Sequence, residues 1–212
     1  MKYEDLINAH RKYHEVWPYD DLYDAARRIG WERIGKEWAA VFSFLNSWGR
    51  CRVEYSKRFP EVYTQCMPYI KTLKDERLEY VDFNKIKVVN DERLRISHVI
   101  HHIFDVLTNE VGGRFGAVAT SKLLHIALPD LFVMWDNAIS DGYDVKMTGY
   151  SYAYKFMPRM KDELEEAIDD FIKHHPCSRD EAITRIRKEA NNEPIPKLID
   201  EYNWLHYTKQ LI

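Results

Sequence analysis

Residues 120–139 read TSKLLHIALPDLFVMWDNAI, and this stretch decides how the centre of the chain folds. An apolar helical segment ends at Pro129, an apolar run follows, and Asp136 precedes a further helical segment. Proline lacks the amide hydrogen that a helix interior requires, and aspartate is a preferred helix N-cap. The stretch therefore predicts a helix, a connector and a second helix with an acid at its N-terminus.

Helical signals continue on both sides of this centre. Asn90, followed by two acidic residues, predicts the start of a helix that runs to about Glu110 and ends at Gly112–Gly113. After a loop through Asp141–Gly142, a long helix is expected over 150–175. Ser178, with Glu181 three residues later, predicts a capping box for the next helix.

The two ends of the chain also show helical periodicity. A first helix is expected to stop before Pro18, and further helices are expected over 20–30, 32–48 and around Pro60, where Pro68 predicts a kink. A final helix follows the break at 191–194, and only residues 79–89 have strand-like chemistry. We therefore expect an all-α fold: residues 1–212 form a single compact unit of eight to ten helices with at most one short β segment. Residues 90–150 are its candidate functional core.

The composition narrows the class of protein. The 212 residues are 45% hydrophobic and 31% charged, with a net charge of −3. This excludes the overall basic charge of a general nucleic-acid binder, so DNA binding would need a local basic patch. No apolar run reaches membrane-span length, and the N-terminus is too polar for a signal peptide. The three cysteines form neither a metal pattern nor a disulfide framework, which favours a reducing cytoplasm.

Basic residues gather at three places along the sequence, where scattered surface charge is the default explanation. If two of these groups share a face, they would form a phosphate-binding surface despite the net negative charge. The groups are Arg50, Arg52, Lys57 and Arg58; Lys85, Lys87, Arg93 and Arg95; and Arg114 with Lys122.

Histidines at helical spacing raise the alternative of a metal site. His98, His102 and Asp105 lie on one face of the predicted central helix, and imidazole and carboxylate are metal ligands. A second helix would have to complete such a site, for example with His10 and His14, which are also four residues apart. The competing interpretations are a solvated polar face for the first set and buried, hydrogen-bonded histidines for the second.

The order of these parts resembles the helix-hairpin-helix DNA glycosylase superfamily over about thirty residues. The matching parts are Gly113–Thr120 for the glycine-containing hairpin, Ser121–Leu128 for the helix, Pro129–Trp135 for the connector and Asp136 for the catalytic aspartate. The elements Ser121–His125 and Trp135–Asp136 also resemble those of uncharacterised bacterial and archaeal proteins.

The resemblance implies a nucleic-acid-associated protein in which Asp136 is catalytic. Lys122 and Arg114 would lie near phosphate, and a flipped base would meet His125, Trp135, Tyr143 or Tyr150. The chain departs from the family in lacking the leucine-proline-glycine opening, the lyase lysine (its position falls near Val118 or Ala119), the threonine-histidine-valine after the aspartate and the iron–sulfur cysteines. No lyase activity and no cofactor are therefore expected.

Two other classes of function remain open at this stage. In one, the chain is a non-enzymatic helical interaction or ligand-binding module, and Asp136 serves only as a helix cap. In the other, it is a metal-dependent helical enzyme that uses His98, His102 and Asp105. The sequence carries no signal for an oligomeric state.

Overall fold

A computed structural model describes residues 1–17 and 20–212 of the chain. Within these residues the regular structure is helical except for one antiparallel hairpin, so the predicted all-α class with a short β segment is confirmed. The predicted stop before Pro18 falls at the edge of the described residues, and the first helix ends at Val16. The helices are α1 (Tyr3–Val16), α2 (Asp21–Arg27), α3 (Trp38–Ser47), α4 (Phe59–Leu73), α5 (Ile96–Glu110), α6 (Ala117–Ala127), α7 (Asn137–Gly142), α8 (Gly149–Ser151), α9 (Met157–His174), α10 (Arg179–Glu189) and α11 (Ile195–Asn203).

Two of the later helices contain π-helical turns. Residues Tyr152–Phe156 join α8 to α9, so the chain is continuously helical from Gly149 to His174, as the sequence predicts. Residues Trp204–Lys209 extend α11 in the same way. π-Helical turns are rare, and many of those that occur lie at functional sites. The second of these two turns borders the pocket described below.

The segment around Asn90 corrects one prediction. It does not start a helix but forms the turn between strands β1 (Ile86–Val89) and β2 (Glu92–Arg95), and α5 begins only at Ile96. Asn90 and Asp91 both have positive φ, at 48° and 67°. Asparagine and aspartate tolerate this conformation, and two such residues in succession suit the tight turn of a hairpin. The same polar residues that cap helices thus make a turn here.

Several helix boundaries also differ from expectation. The helix predicted from residue 32 begins only at Trp38, and residues 31–36 form turns. Residues 141–142, predicted to lie in a loop, complete the short helix α7. The helix predicted over 20–30 ends at Arg27, and α6 begins at Ala117, inside the segment matched to a hairpin. The capping box of Ser178 and Glu181 and the end of α5 before two glycines of positive φ are confirmed.

The connector between α6 and α7 runs through the core. Residues 131–135 are all buried, so their backbone polar groups need partners inside the protein. Tyr152 donates its hydroxyl hydrogen to the carbonyl of Val133, and Nδ1 of His125 bonds the carbonyl of Phe132. This buried connector fixes the place where the chain emerges at Asp136.

No helix among the described residues is both long and apolar enough to cross a membrane.

Candidate ligand pocket

A pocket of about 540 Å³ opens where the two ends of the chain meet the start of α7. Its walls come from the end of α1, the loop after α3, one face of α6, the start of α7 and the end of α11. The lining residues are Tyr13, Trp17, Trp48, Gly49, Arg50, Cys51, Val118, Lys122, Trp135, Asp136, Asn137, Ala138, Ile139, Asp200, Trp204, Thr208 and Lys209. The volume is within the usual range for small-molecule sites.

Asp136 is both a helix cap and a wall of this pocket. Its Oδ1 accepts a hydrogen bond from the amide of Ile139 at 2.9 Å, which makes it the N-cap that the sequence predicts. Its Oδ2 accepts a hydrogen bond from the hydroxyl of Thr208 at 2.8 Å. The half-buried carboxylate is thus fixed from two sides and stands at the positive end of a short helix.

Lys122 reaches the same pocket from α6. Its ammonium donates to the carbonyl of Gly49 at 2.9 Å and lies 5.4 Å from the centre of the Trp48 ring. Both contacts hold a cation in place without neutralising it. The pocket therefore contains a positioned positive charge as well as the Asp136 carboxylate.

Asp200 adds a second carboxyl group that the sequence did not single out. It lies on α11, is 8% exposed and faces the pocket. Burial raises its pKa to about 7, against the opposing charges of Lys197 and Lys122, and the negative charge of Asp136 raises it further. Near neutral pH the pocket thus holds an ionisable carboxyl group that can donate or accept a proton.

Aromatic rings with two exposed cations form the rim. The rings of Trp17 and Trp204 are 5.9 Å apart. The Arg50 guanidinium lies 4.8 Å from the Trp17 ring centre, and the Lys209 ammonium lies 4.9 Å from that of Trp204. Planar rings and cations at a pocket mouth suit a planar ligand that carries negative charge.

Trp135 borders the pocket from beneath. Its side chain is fully buried, and its indole nitrogen donates to the carbonyl of Ala117 at 3.2 Å. The ring packs against Phe104, Tyr152 and Phe156. Trp135 therefore supports the floor, and the ring is not free to stack on a ligand.

His125 lies outside the pocket, which corrects the expectation that it meets a base. It is fully buried between the Tyr23 hydroxyl, at 2.8 Å, and the carbonyl of Phe132, at 2.6 Å. Burial lowers its pKa to about 4, so the ring is neutral near pH 7. His125 ties α6 to α2 and to the connector.

Three other predicted site residues also lie away from the pocket. The Tyr143 hydroxyl forms hydrogen bonds with Glu163 and Asn203, each at 2.8 Å. Tyr150 is exposed and borders a neighbouring polar groove. Arg114 is exposed and pairs with Glu54 at 3.1 Å. Of the residues chosen from the sequence, the structure brings together Asp136, Lys122 and, beneath them, Trp135.

The metal triad proposed on α5 is not assembled. His98 is exposed, His102 packs on Tyr69 with ring centres 4.2 Å apart, and Asp105 pairs with His101 at 2.9 Å. Among the residues that the structure describes, three potential metal ligands converge at a different place: His10, His14 and Glu201.

No protein-family model, curated protein or solved structure matches the chain.

Proposed function

We propose that this pocket binds a nucleobase with its sugar and hydrolyses the N-glycosidic bond between them. The observation that carries the proposal is the meeting of Asp136, Asp200 and Lys122 in one aromatic-rimmed pocket. The order of α5, glycine turn, α6, buried connector and capping aspartate is also the order expected of a helix-hairpin-helix glycosylase core.

The two carboxyl groups suit the two charges that this reaction develops. As the bond from the sugar carbon to the base nitrogen breaks, the sugar becomes cation-like and the base becomes anion-like. The Asp136 carboxylate stabilises the cation, and Asp200 in its protonated form gives its proton to the departing base. A water molecule then adds to the sugar carbon, and the proton that it loses goes to the Asp200 carboxylate, which restores the starting state.

The remaining parts of the pocket suit recognition. The half-buried ring of Trp204, at the rim, offers a surface for a base that has left its stack. Lys122, Arg50 and Lys209 supply positive charge for flanking phosphates, so DNA contact would be confined to this mouth of a negatively charged protein.

The test is release of free base from oligonucleotides that carry modified or mismatched bases, and from free nucleosides. Asp136→Asn removes the charge but keeps a good N-cap, so the fold should persist while base release falls. Asp141→Asn is the matched control, because Asp141 lies on the same helix but is exposed in the neighbouring groove. Equal release by the wild type and Asp136→Asn would refute the role of Asp136.

A ligand-binding module without catalysis is the second candidate. It is favoured by the two hydrogen bonds of Asp136, to Ile139 and Thr208, which a structural role explains in full. In that case nucleosides would quench the tryptophan fluorescence of the wild type, Lys122→Gln would weaken this binding, and no base would be released.

A further inference from the structure

A separate cluster of ligand atoms lies between α1 and α11. His10 and His14 are one helical turn apart on α1, and Glu201 faces them from α11. One potential ligand atom from each residue lies within 4.8 Å of the other two. We propose that His10, His14 and Glu201 bind a divalent transition-metal ion, with Zn²⁺ as the ion that these donors fit best.

His10 provides the strongest sign of a missing partner. Its side chain is buried, and Nδ1 lies 2.7 Å from Oε2 of Glu201. Its Nε2 is also buried and has no hydrogen-bond partner among the described residues. Buried polar atoms rarely stay unpaired, because they lose their water without compensation. A metal on Nε2 would lie at the ring edge opposite Nδ1, so Glu201 would have to leave Nδ1 and turn toward the ion to become its ligand.

The surrounding charges favour an additional cation. Lys197 is fully buried, and its ammonium lies 2.6 Å from Oε1 of Glu201 and 3.7 Å from Oδ2 of Asp20. One ammonium therefore faces two carboxyl groups, those of Glu201 and Asp20. Lys197 would repel a metal ion, but it stays paired to Asp20 if Glu201 turns toward the metal.

His14 gives the site access to solvent. Its side chain is 40% exposed, and its Nε2 lies 3.9 Å from Oε1 of Glu201. A metal held here would keep one side open to water, which would complete a tetrahedral shell. The site is also distinct from the α5 histidines, which share the four-residue spacing but lack a converging carboxylate among the described residues.

The experiment is calorimetric titration of chelator-treated, full-length protein with Zn²⁺, with Co²⁺ absorption spectra as a second readout. We expect one Zn²⁺ per chain and a tetrahedral Co²⁺ spectrum. His14→Gln should weaken Zn²⁺ binding by about 100-fold, since loss of even an outer-shell partner costs 10- to 100-fold. This variant should fold, because His14 is partly exposed; circular dichroism checks that.

The matched control is the double variant His98→Gln/His102→Gln, which removes the other histidine pair of equal spacing. It should bind Zn²⁺ as the wild type does. The proposal is overturned if the wild type binds no more Zn²⁺ than His14→Gln, or if the control loses the site instead. A buried His10–Glu201 ion pair without metal would give the first of these results.

Discussion

Asp136 caps α7 and, in the function that we propose, also takes part in the chemistry. The cap bond to Ile139 uses Oδ1, the Thr208 bond uses Oδ2, and the carboxylate still borders the pocket. The two roles respond differently to substitution. Asparagine keeps the cap and removes the charge, whereas alanine removes both.

Replacing Asp136 by alanine should therefore lower the free energy of unfolding by about 0.5–2 kcal/mol, the usual cost of losing an N-cap. Asp136→Asn should stay close to the wild type. Urea unfolding monitored by circular dichroism measures both. A stability loss for asparagine equal to that for alanine would show that charge, not capping, holds α7 in place.

Because of Asp200, the free energy of unfolding should fall as pH rises. Its pKa is raised to about 7 in the folded protein, so the folded state binds more protons than the unfolded state between about pH 4 and 7. Stability linked to this group is present at low pH and lost as pH rises through 7, by at most about 4 kcal/mol.

Unfolding of Asp200→Asn and the wild type at pH 5 and pH 8 isolates this effect, because groups such as His125 contribute equally to both proteins. Burial lowers the pKa of His125 to about 4, so its contribution is instead lost as pH falls. The free energy of unfolding of Asp200→Asn, measured relative to the wild type, should be higher at pH 8 than at pH 5. If the difference in free energy of unfolding between the two proteins is the same at both pH values, the pKa of Asp200 is not raised.

At this scale the sequence predicted only those pocket residues that are encoded locally. Asp136 and Lys122 were found because cap, proline and helix lie within twenty residues. Asp200, Trp48 and Trp204 were missed because their place in the pocket depends on contacts between distant segments. His125 lies in the core and not in the pocket, and a histidine at a helix end has the same sequence signal in either place.

At the scale of elements, the turn between α5 and α6 sets where α6 begins. Gly113 has φ of +60°, and its carbonyl accepts a hydrogen bond from the amide of Glu54 at 2.6 Å. A Cβ atom at Gly113 would lie 2.6 Å from the carbonyl oxygen of Glu54. Both the backbone conformation and the close approach require glycine.

Gly113→Ala should consequently destabilise the fold more than Gly112→Ala. Gly112 has φ of +74°, but no atom lies within 4 Å of a Cβ placed there. The Gly112 variant should lose about 1–2 kcal/mol from backbone strain alone, and the Gly113 variant should lose more. Thermal unfolding of the two proteins gives the comparison, and equal losses would mean that the loop around Glu54 yields without cost.

Most helices could be predicted because their apolar spacing and caps are local. The hairpin at 86–95 could not, because Asn-Asp-Glu suits a helix start as well as a turn. Pairing of the two flanking strands decides between these, and that pairing is a tertiary property. The helical spacing of Trp31, Ile34 and Trp38 predicts an earlier start for α3, but residues 31–36, which include the helix-disfavouring Gly35, form turns.

At the scale of the whole molecule, α11 connects two polar sites. Asp200 faces the pocket, while the next residue, Glu201, faces His10 and His14 on α1. The predicted core of residues 90–150 supplies Asp136 and Lys122, whereas Asp200 and Trp204 come from the end of the chain and Trp48 from the loop after α3. A metal bound by Glu201 would thus be held by the residue that follows Asp200 in the sequence, and Asp200 carries the carboxyl group that we assign to proton transfer.

The most direct test of the central claim is a single-turnover assay with protein in excess over modified oligonucleotides, in which mass spectrometry detects the released base. The wild type and Asp141→Asn should release base at equal rates, and Asp136→Asn should release it at least about 100-fold more slowly, as expected when a charge-stabilising group is lost. No release by the wild type from any oligonucleotide or nucleoside, or equal rates for all three proteins, would contradict the account.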